Sequence, residues 1–172
     1  AKDTLKLELP KNWREYDVLY VTAKDPQKRE IFTWSWPIKL PDQIADGIIS
    51  KEGNTSVTVN EDPELLIVKS NGIEVSFDKS SGRISKVKNT SGIISFNNGP
   101  VLCEEKTIFK ELGYRFDNEN LIVESTFEEG SGFTGLSWTI YPSGWIQLDV
   151  EYCPEKERLT LMGINFSYPE EK

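Results

Sequence analysis

The 172-residue chain contains no histidine at all. That absence removes the Ser-His-Asp and Cys-His nucleophile systems. It also removes the helical zincin motif and every zinc site built on imidazole. Cysteine is scarce, with two residues, so one chain cannot assemble an all-thiolate zinc or iron–sulfur site, and no metal site or cofactor is expected. Basic residues are outnumbered: 20 Lys and Arg against 28 Asp and Glu leave a net charge of −8. Lys and Arg are scattered, without the clustered basic face that nucleic acid or an anionic membrane requires, so neither is expected as a partner. No apolar run approaches the roughly 18 residues that span a bilayer. A (β/α)₈ barrel, which needs at least about 200 residues, does not fit either.

Cys103 and Cys153 stand far apart in sequence. A bond between them would close a loop worth about 4 kcal/mol; two unpaired thiols are the alternative. The opening Ala1-Lys2-Asp3-Thr4 has neither an initiator methionine nor a secretory apolar segment. It reads as the start of a processed product or of a piece of something longer. Three Asn-x-Ser triplets, at Asn54, Asn89 and Asn165, matter only in a eukaryotic secretory pathway. The glycines fall singly, and no Gly-rich phosphate loop occurs.

What is present is the punctuation of an all-β protein. Short runs of Val, Ile, Phe, Tyr, Trp and Thr alternate with Gly, Asn, Asp, Ser and Pro about every ten residues. Three strands are expected before residue 40, at 4–9, 17–23 and 30–37, with Asp25-Pro26-Gln27-Lys28 as a turn. In the third, Phe32, Trp34 and Trp36 share one face. One short helix is expected over 41–49, with Asp42 as its cap. A polar connector with one short strand at 56–59 follows. Further strands are expected at 65–69, 73–77, 83–88, 106–109, 114–117, 121–127, 133–141, 145–152 and 159–167. The hairpin over 133–152 is the clearest local signal. A three-residue loop, Pro142-Ser143-Gly144, sets Tyr141 opposite Trp145 and then pairs Ile140 with Ile146, Trp138 with Leu148 and Leu136 with Val150. Thr139 with Gln147 and Ser137 with Asp149 occupy the other face.

Carboxylates are the main acid–base groups in supply. Candidate pairs are Glu104-Glu105, Glu128-Glu129, and Asp149 with Glu151, which lie two apart on one strand face as a glycosidase pair can. With 28 acids in 172 residues such pairs also arise by chance, and a solvated sheet face is the favoured reading. Tyr141, Trp145, Gln147, Asp149 and Glu151 have the composition of a sugar-binding ledge, aromatic platforms flanked by polar groups. A domain–domain face is the competing reading. Trp34 and Trp36 fit a sandwich core better than a sugar platform.

The stretch Gly72-Ile73-Glu74-Val75-Ser76-Phe77-Asp78-Lys79-Ser80-Ser81-Gly82-Arg83-Ile84-Ser85 resembles the opening of the last domain of β-galactosidases. Upstream, Lys28-Arg29-Glu30 leading into Phe32-Thr33-Trp34-Ser35-Trp36-Pro37 is similar to the final strands of the immunoglobulin-like domain before it. Downstream, Trp138-Thr139-Ile140-Tyr141-Pro142-Ser143-Gly144-Trp145-Ile146 and Leu161-Met162-Gly163-Ile164-Asn165-Phe166 resemble later strands in the same order. Ser95-Phe96-Asn97-Asn98-Gly99-Pro100 stands where those enzymes usually carry a Phe-Trp-Arg segment. The resemblance implies a C-terminal portion of a family-2 glycoside hydrolase. Residues 1–40 would be trailing Ig-like strands, 41–63 a linker, and 64–172 the start of a galactose-mutarotase-like antiparallel supersandwich. The family's catalytic glutamates lie on a barrel outside this chain, so no catalytic residue carries over. The implied role is support of that barrel and contact with carbohydrate, in a periplasmic or secreted enzyme whose remaining domains are the partners. A stand-alone carbohydrate-binding module is the alternative, and a small jelly-roll glycosidase a third.

Overall fold

The computed structural model describes residue 4, residues 6–153 and residues 160–169. It consists of antiparallel β-sheets with one short helix. Contacts divide it into two units, Ala1–Ser50 and Lys51–Lys172. The boundary falls inside the expected linker. Helix α1 (Pro41–Ile48) lies in the first unit, whereas residues 51–63 belong to the second.

In the first unit, β1 (Val18–Lys24) and β2 (Glu30–Pro37) form a two-stranded ribbon. The Asp25 carboxylate closes its turn, accepting from the Arg29 backbone N–H at 2.8 Å and from Arg29 Nε at 2.7 Å. The register sets Leu19, Val21 and Ala23 opposite Trp36, Trp34 and Phe32. One face of the ribbon is therefore apolar, with Phe32 and Trp34 edge to face at 4.9 Å. The opposite face is polar: Thr22 and Thr33 hydroxyls meet at 2.8 Å. The strand expected over 4–9 is not formed by its described residues; alternation without a partner does not hold a strand. The helix starts differently from expectation. Leu40, not Asp42, is its N-cap, and Pro41 occupies the first turn where its missing N–H costs nothing. The Gln43 side chain accepts from the Leu40 N–H at 3.0 Å.

The second unit is a sandwich. Its larger sheet has seven strands: β3 (Thr58–Glu61), β4 (Leu65–Ser70), β5 (Ile73–Asp78), β6 (Ile84–Asn89), β7 (Gly92–Ile94), β8 (Asn97–Leu102) and β13 (Ile164–Ser167). They run in the order β13-β8-β6-β5-β4-β3, with β7 paired to β6. The smaller sheet holds β9 (Phe109–Asp117), β10 (Asn120–Phe127), β11 (Phe133–Ile140) and β12 (Ile146–Tyr152), in the order β12-β11-β10-β9. The hairpin register is the expected one, pair for pair, from Ile140 with Ile146 to Leu136 with Val150. Gly144 takes φ +86°, the left-handed position its turn demands.

Alternate residues of each sheet point inward. Leu66, Val68, Val75, Phe77, Ile84 and Val87 meet Leu121, Val123, Leu136, Trp138 and Ile140 in one core. Phe77 packs on Trp138 at 5.9 Å between ring centroids, and Phe166 adds an edge contact to Trp138 at 6.2 Å. Val57, in the expected connector, is also part of this core. Residues 106–109 and 114–117, expected as two strands, are not separate: one nine-residue strand, β9, runs from Phe109 to Asp117. Strands β7 and β8 were not foreseen. The strand expected over 159–167 is shorter: β13 begins at Ile164, residues 160–163 are not strand, and residue 159 lies outside the described residues. Both cysteines are free thiols.

Candidate functional site

The proposed ledge grows from the β11–β12 turn, and the turn is held by its carbonyls. Ser70 Oγ donates to the Tyr141 carbonyl at 2.7 Å. Thr55 Oγ1 donates to the Pro142 carbonyl at 2.6 Å, and Asn71 Nδ2 to the Ser143 carbonyl at 2.7 Å. Three successive acceptors thus receive donors from two separate segments, the β4–β5 turn and the stretch 51–57. A strap is formed by 51–57 across the hairpin tip. Gly53 lies so close to it that an added Cβ would fall 2.4 Å from the Pro142 carbonyl carbon.

From this anchored tip a polar chain runs along the outer face of β12. Tyr141 Oη donates to Gln147 Oε1 at 2.8 Å. Gln147 Nε2 then donates to both Asp149 oxygens, at 3.0 and 2.9 Å. Lys51 Nζ stands 5.7 Å from the centre of the Tyr141 ring, within cation–π range. Tyr141 is 7% exposed, so its ring is a buried anchor under the strap. Trp145 is different: 43% of it is exposed, and it offers the open aromatic surface of the group. Farther down, Asp149 and Glu151 line a surface depression of about 280 Å³ with Glu124, Ser137 and Thr134.

The structure therefore links Tyr141, Gln147 and Asp149 directly, places Trp145 beside them at the tip, and sets Glu151 one step along the same face. Sequence reasoning missed Lys51 and Thr55. Neither sits in a periodic pattern, and their roles arise from contacts with residues about ninety positions away. Both carboxylates are exposed on an open sheet face. A glycosidase pair works across a cleft that encloses the sugar. The Glu104-Glu105 pair plays a different part: the Glu104 carboxylate accepts from the Thr160 and Leu161 N–H groups, each at 3.1 Å. It thereby ties the crossover after β8 to the approach to β13.

Carboxylates elsewhere are acidified by local donors. Asp78 lies below its ordinary 3.8, chiefly because the Ser80 hydroxyl donates to it, with the Ser80 N–H helping against partial burial. Asp62 is lowered first by the Leu65 N–H and then by that of Glu64. Glu74 is lowered by Lys88 and then Lys69, which flank it at 2.8 and 3.0 Å. Among the described residues no group of three or more acidic or thiol side chains is placed to hold a metal. None of their helices is long and apolar enough to cross a membrane. No protein-family model matches the chain, and no curated protein matches it either.

Proposed function

We propose that this chain is a non-catalytic β-sandwich portion of a larger, β-galactosidase-like glycoside hydrolase. Its first unit is the trailing ribbon of an Ig-like domain, and its second the opening part of a supersandwich. Its role is to support a catalytic barrel and to contribute carbohydrate contact, in an exported enzyme. The observation that carries this reading is the apolar face of the β1–β2 ribbon. Phe32, Trp34 and Trp36 are 53%, 45% and 48% exposed, on two strands that among the described residues make no sheet with any other. Two-stranded ribbons are marginal in water, and an uncovered aromatic face of this kind calls for further strands. The motif order across the chain supplies the family.

The test is the gene and the activity of the chain. Several hundred codons upstream, encoding a barrel, are expected in the same reading frame. The 172-residue chain alone is expected to leave aryl glycosides intact. Hydrolysis by the chain alone, or a gene that encodes only these residues, overturns the reading.

One observation favours a second reading, a free-standing carbohydrate-binding module: the exposed Trp145 beside the Tyr141–Gln147–Asp149 chain. Titration calorimetry against an oligosaccharide panel decides it. Binding that falls at least about tenfold in Trp145→Ala supports the module; no binding across the panel removes it.

A further inference from the structure

Strand β9 ends the smaller sheet, and among the described residues nothing pairs with its outer edge. Its register with β10 sets Leu112, Tyr114 and Phe116 opposite Ser125, Val123 and Leu121. The three β10 residues are fully buried or nearly so, hence Leu112, Tyr114 and Phe116 point toward the core side. Yet Tyr114 is 42% and Phe116 54% exposed. The inward face of this strand therefore lacks the cover that its neighbour enjoys. A long, bare edge with apolar residues is the part of a sheet most disposed to gain another strand.

The sequence of β9 indicates which strand fits. It reads Phe109-Lys110-Glu111-Leu112-Gly113-Tyr114-Arg115-Phe116-Asp117. Laid antiparallel against a second copy of itself about a two-fold axis at Gly113, it sets Glu111 opposite Arg115 twice. The same register places Leu112 opposite Tyr114 twice, and a bulge at Lys110 ends the regular ladder beyond Glu111. Opposite charges and apolar pairs directly across a ladder are both stabilising. At the axis Gly113 carries no side chain, and the space above it on the outer face of the sheet is open. An axis normal to the sheet keeps both core-side faces on one side, so the four strands of each copy continue into one sheet.

We propose that the outer edge of β9 is a self-association surface, through which two copies of this chain pair antiparallel about Gly113. The proposal concerns the second unit only. Arg115 already reaches Glu124 within its own sheet at 3.2 Å, so Glu111 of the other copy adds a second acceptor.

Sedimentation velocity on the 172-residue chain through the micromolar range tests it. A dimer is expected. Glu111→Arg and Arg115→Glu, which each place two like-charged pairs across the axis, are expected to weaken it about tenfold. The double variant, with the charges exchanged, is expected to recover the wild-type association. Glu111→Arg leaves the Arg115–Glu124 pair intact and stays folded by circular dichroism even where Arg115→Glu does not. A chain that is monomeric throughout overturns the proposal. So does a dimer that Glu111→Arg leaves unchanged, since association through the aromatic ribbon would ignore that change. A double variant as weak as the folded singles overturns it as well.

Discussion

At the scale of single residues, the hairpin tip depends on donors that have no apolar role. Ser70 is 4% exposed and gives its hydroxyl to the Tyr141 carbonyl. Ser70→Ala is expected to cost about 0.5–1.5 kcal/mol in urea unfolding, because it removes one of two donors to the Tyr141 carbonyl, which keeps the Gly144 N–H at 2.9 Å. Tyr141→Phe, which frees only the Gln147 end of a partly exposed bond, is expected to cost nearer 1 kcal/mol. Acidic side chains act through pH. Asp78 is more acidic folded than unfolded, so its contribution is fully present above about 3.8 and disappears as pH falls through the lower folded value. Asp78→Asn is expected to destabilise the protein slightly at neutral pH, by under ~1 kcal/mol for a group still largely screened by solvent, and to leave its stability unchanged in strong acid. Thermal melts of both forms against pH measure the difference. These residue-level roles were only partly legible. Trp145 and Gln147 declared themselves by position in an alternating strand. Lys51, Thr55 and Ser70 did not, because their partners come from distant segments and no spacing encodes that.

At the scale of elements, legibility followed how local the pairing is. The 133–152 hairpin was readable residue by residue: turn, glycine and alternation all agree, and the partner strand is the next one along. Strand β8 was hidden because Asn97-Asn98-Gly99-Pro100 looks like a loop. It is extended because β13 supplies a ladder, with Ile164 opposite Leu102 and Asn165 opposite Val101. Strand β9 looks like two pieces in sequence because Glu111 and Gly113 interrupt its apolar pattern, and β10 overrides that weak propensity. The stretch 4–9 errs in the other direction, with a strand-like pattern and no ladder among its described residues. The turn glycine offers the sharpest test at this scale. Gly144→Ala must hold a side chain at φ +86° with its Cβ 3.2 Å from that of Asn71. A loss of about 1–3 kcal/mol is expected by thermal or urea unfolding. Amide exchange is expected to quicken first in residues 140–147.

At the scale of the whole molecule, the two units differ in what they can sustain. The second has two facing sheets and a continuous core, whereas the first has one ribbon and one exposed helix. Residues 51–172 expressed alone are expected to unfold cooperatively, with a far-ultraviolet spectrum of β type. Residues 1–50 alone are expected to give a coil-like spectrum without a transition. The all-β class was legible from composition and punctuation, while the boundary between units was not. Residues 51–57 read as a polar connector, and their grip on the hairpin tip together with Val57 in the core assigns them to the sandwich. The position of β13 has a bearing on biosynthesis. It docks beside a strand some sixty residues earlier, bringing Phe166 onto Phe96 with ring centroids 4.5 Å apart. A nascent chain must therefore leave the ribosome through residue 167 before its larger sheet can be finished. Until then the flank of β8 waits open, dependent on slow, long-range closure and exposed to whatever else in the cell offers a strand.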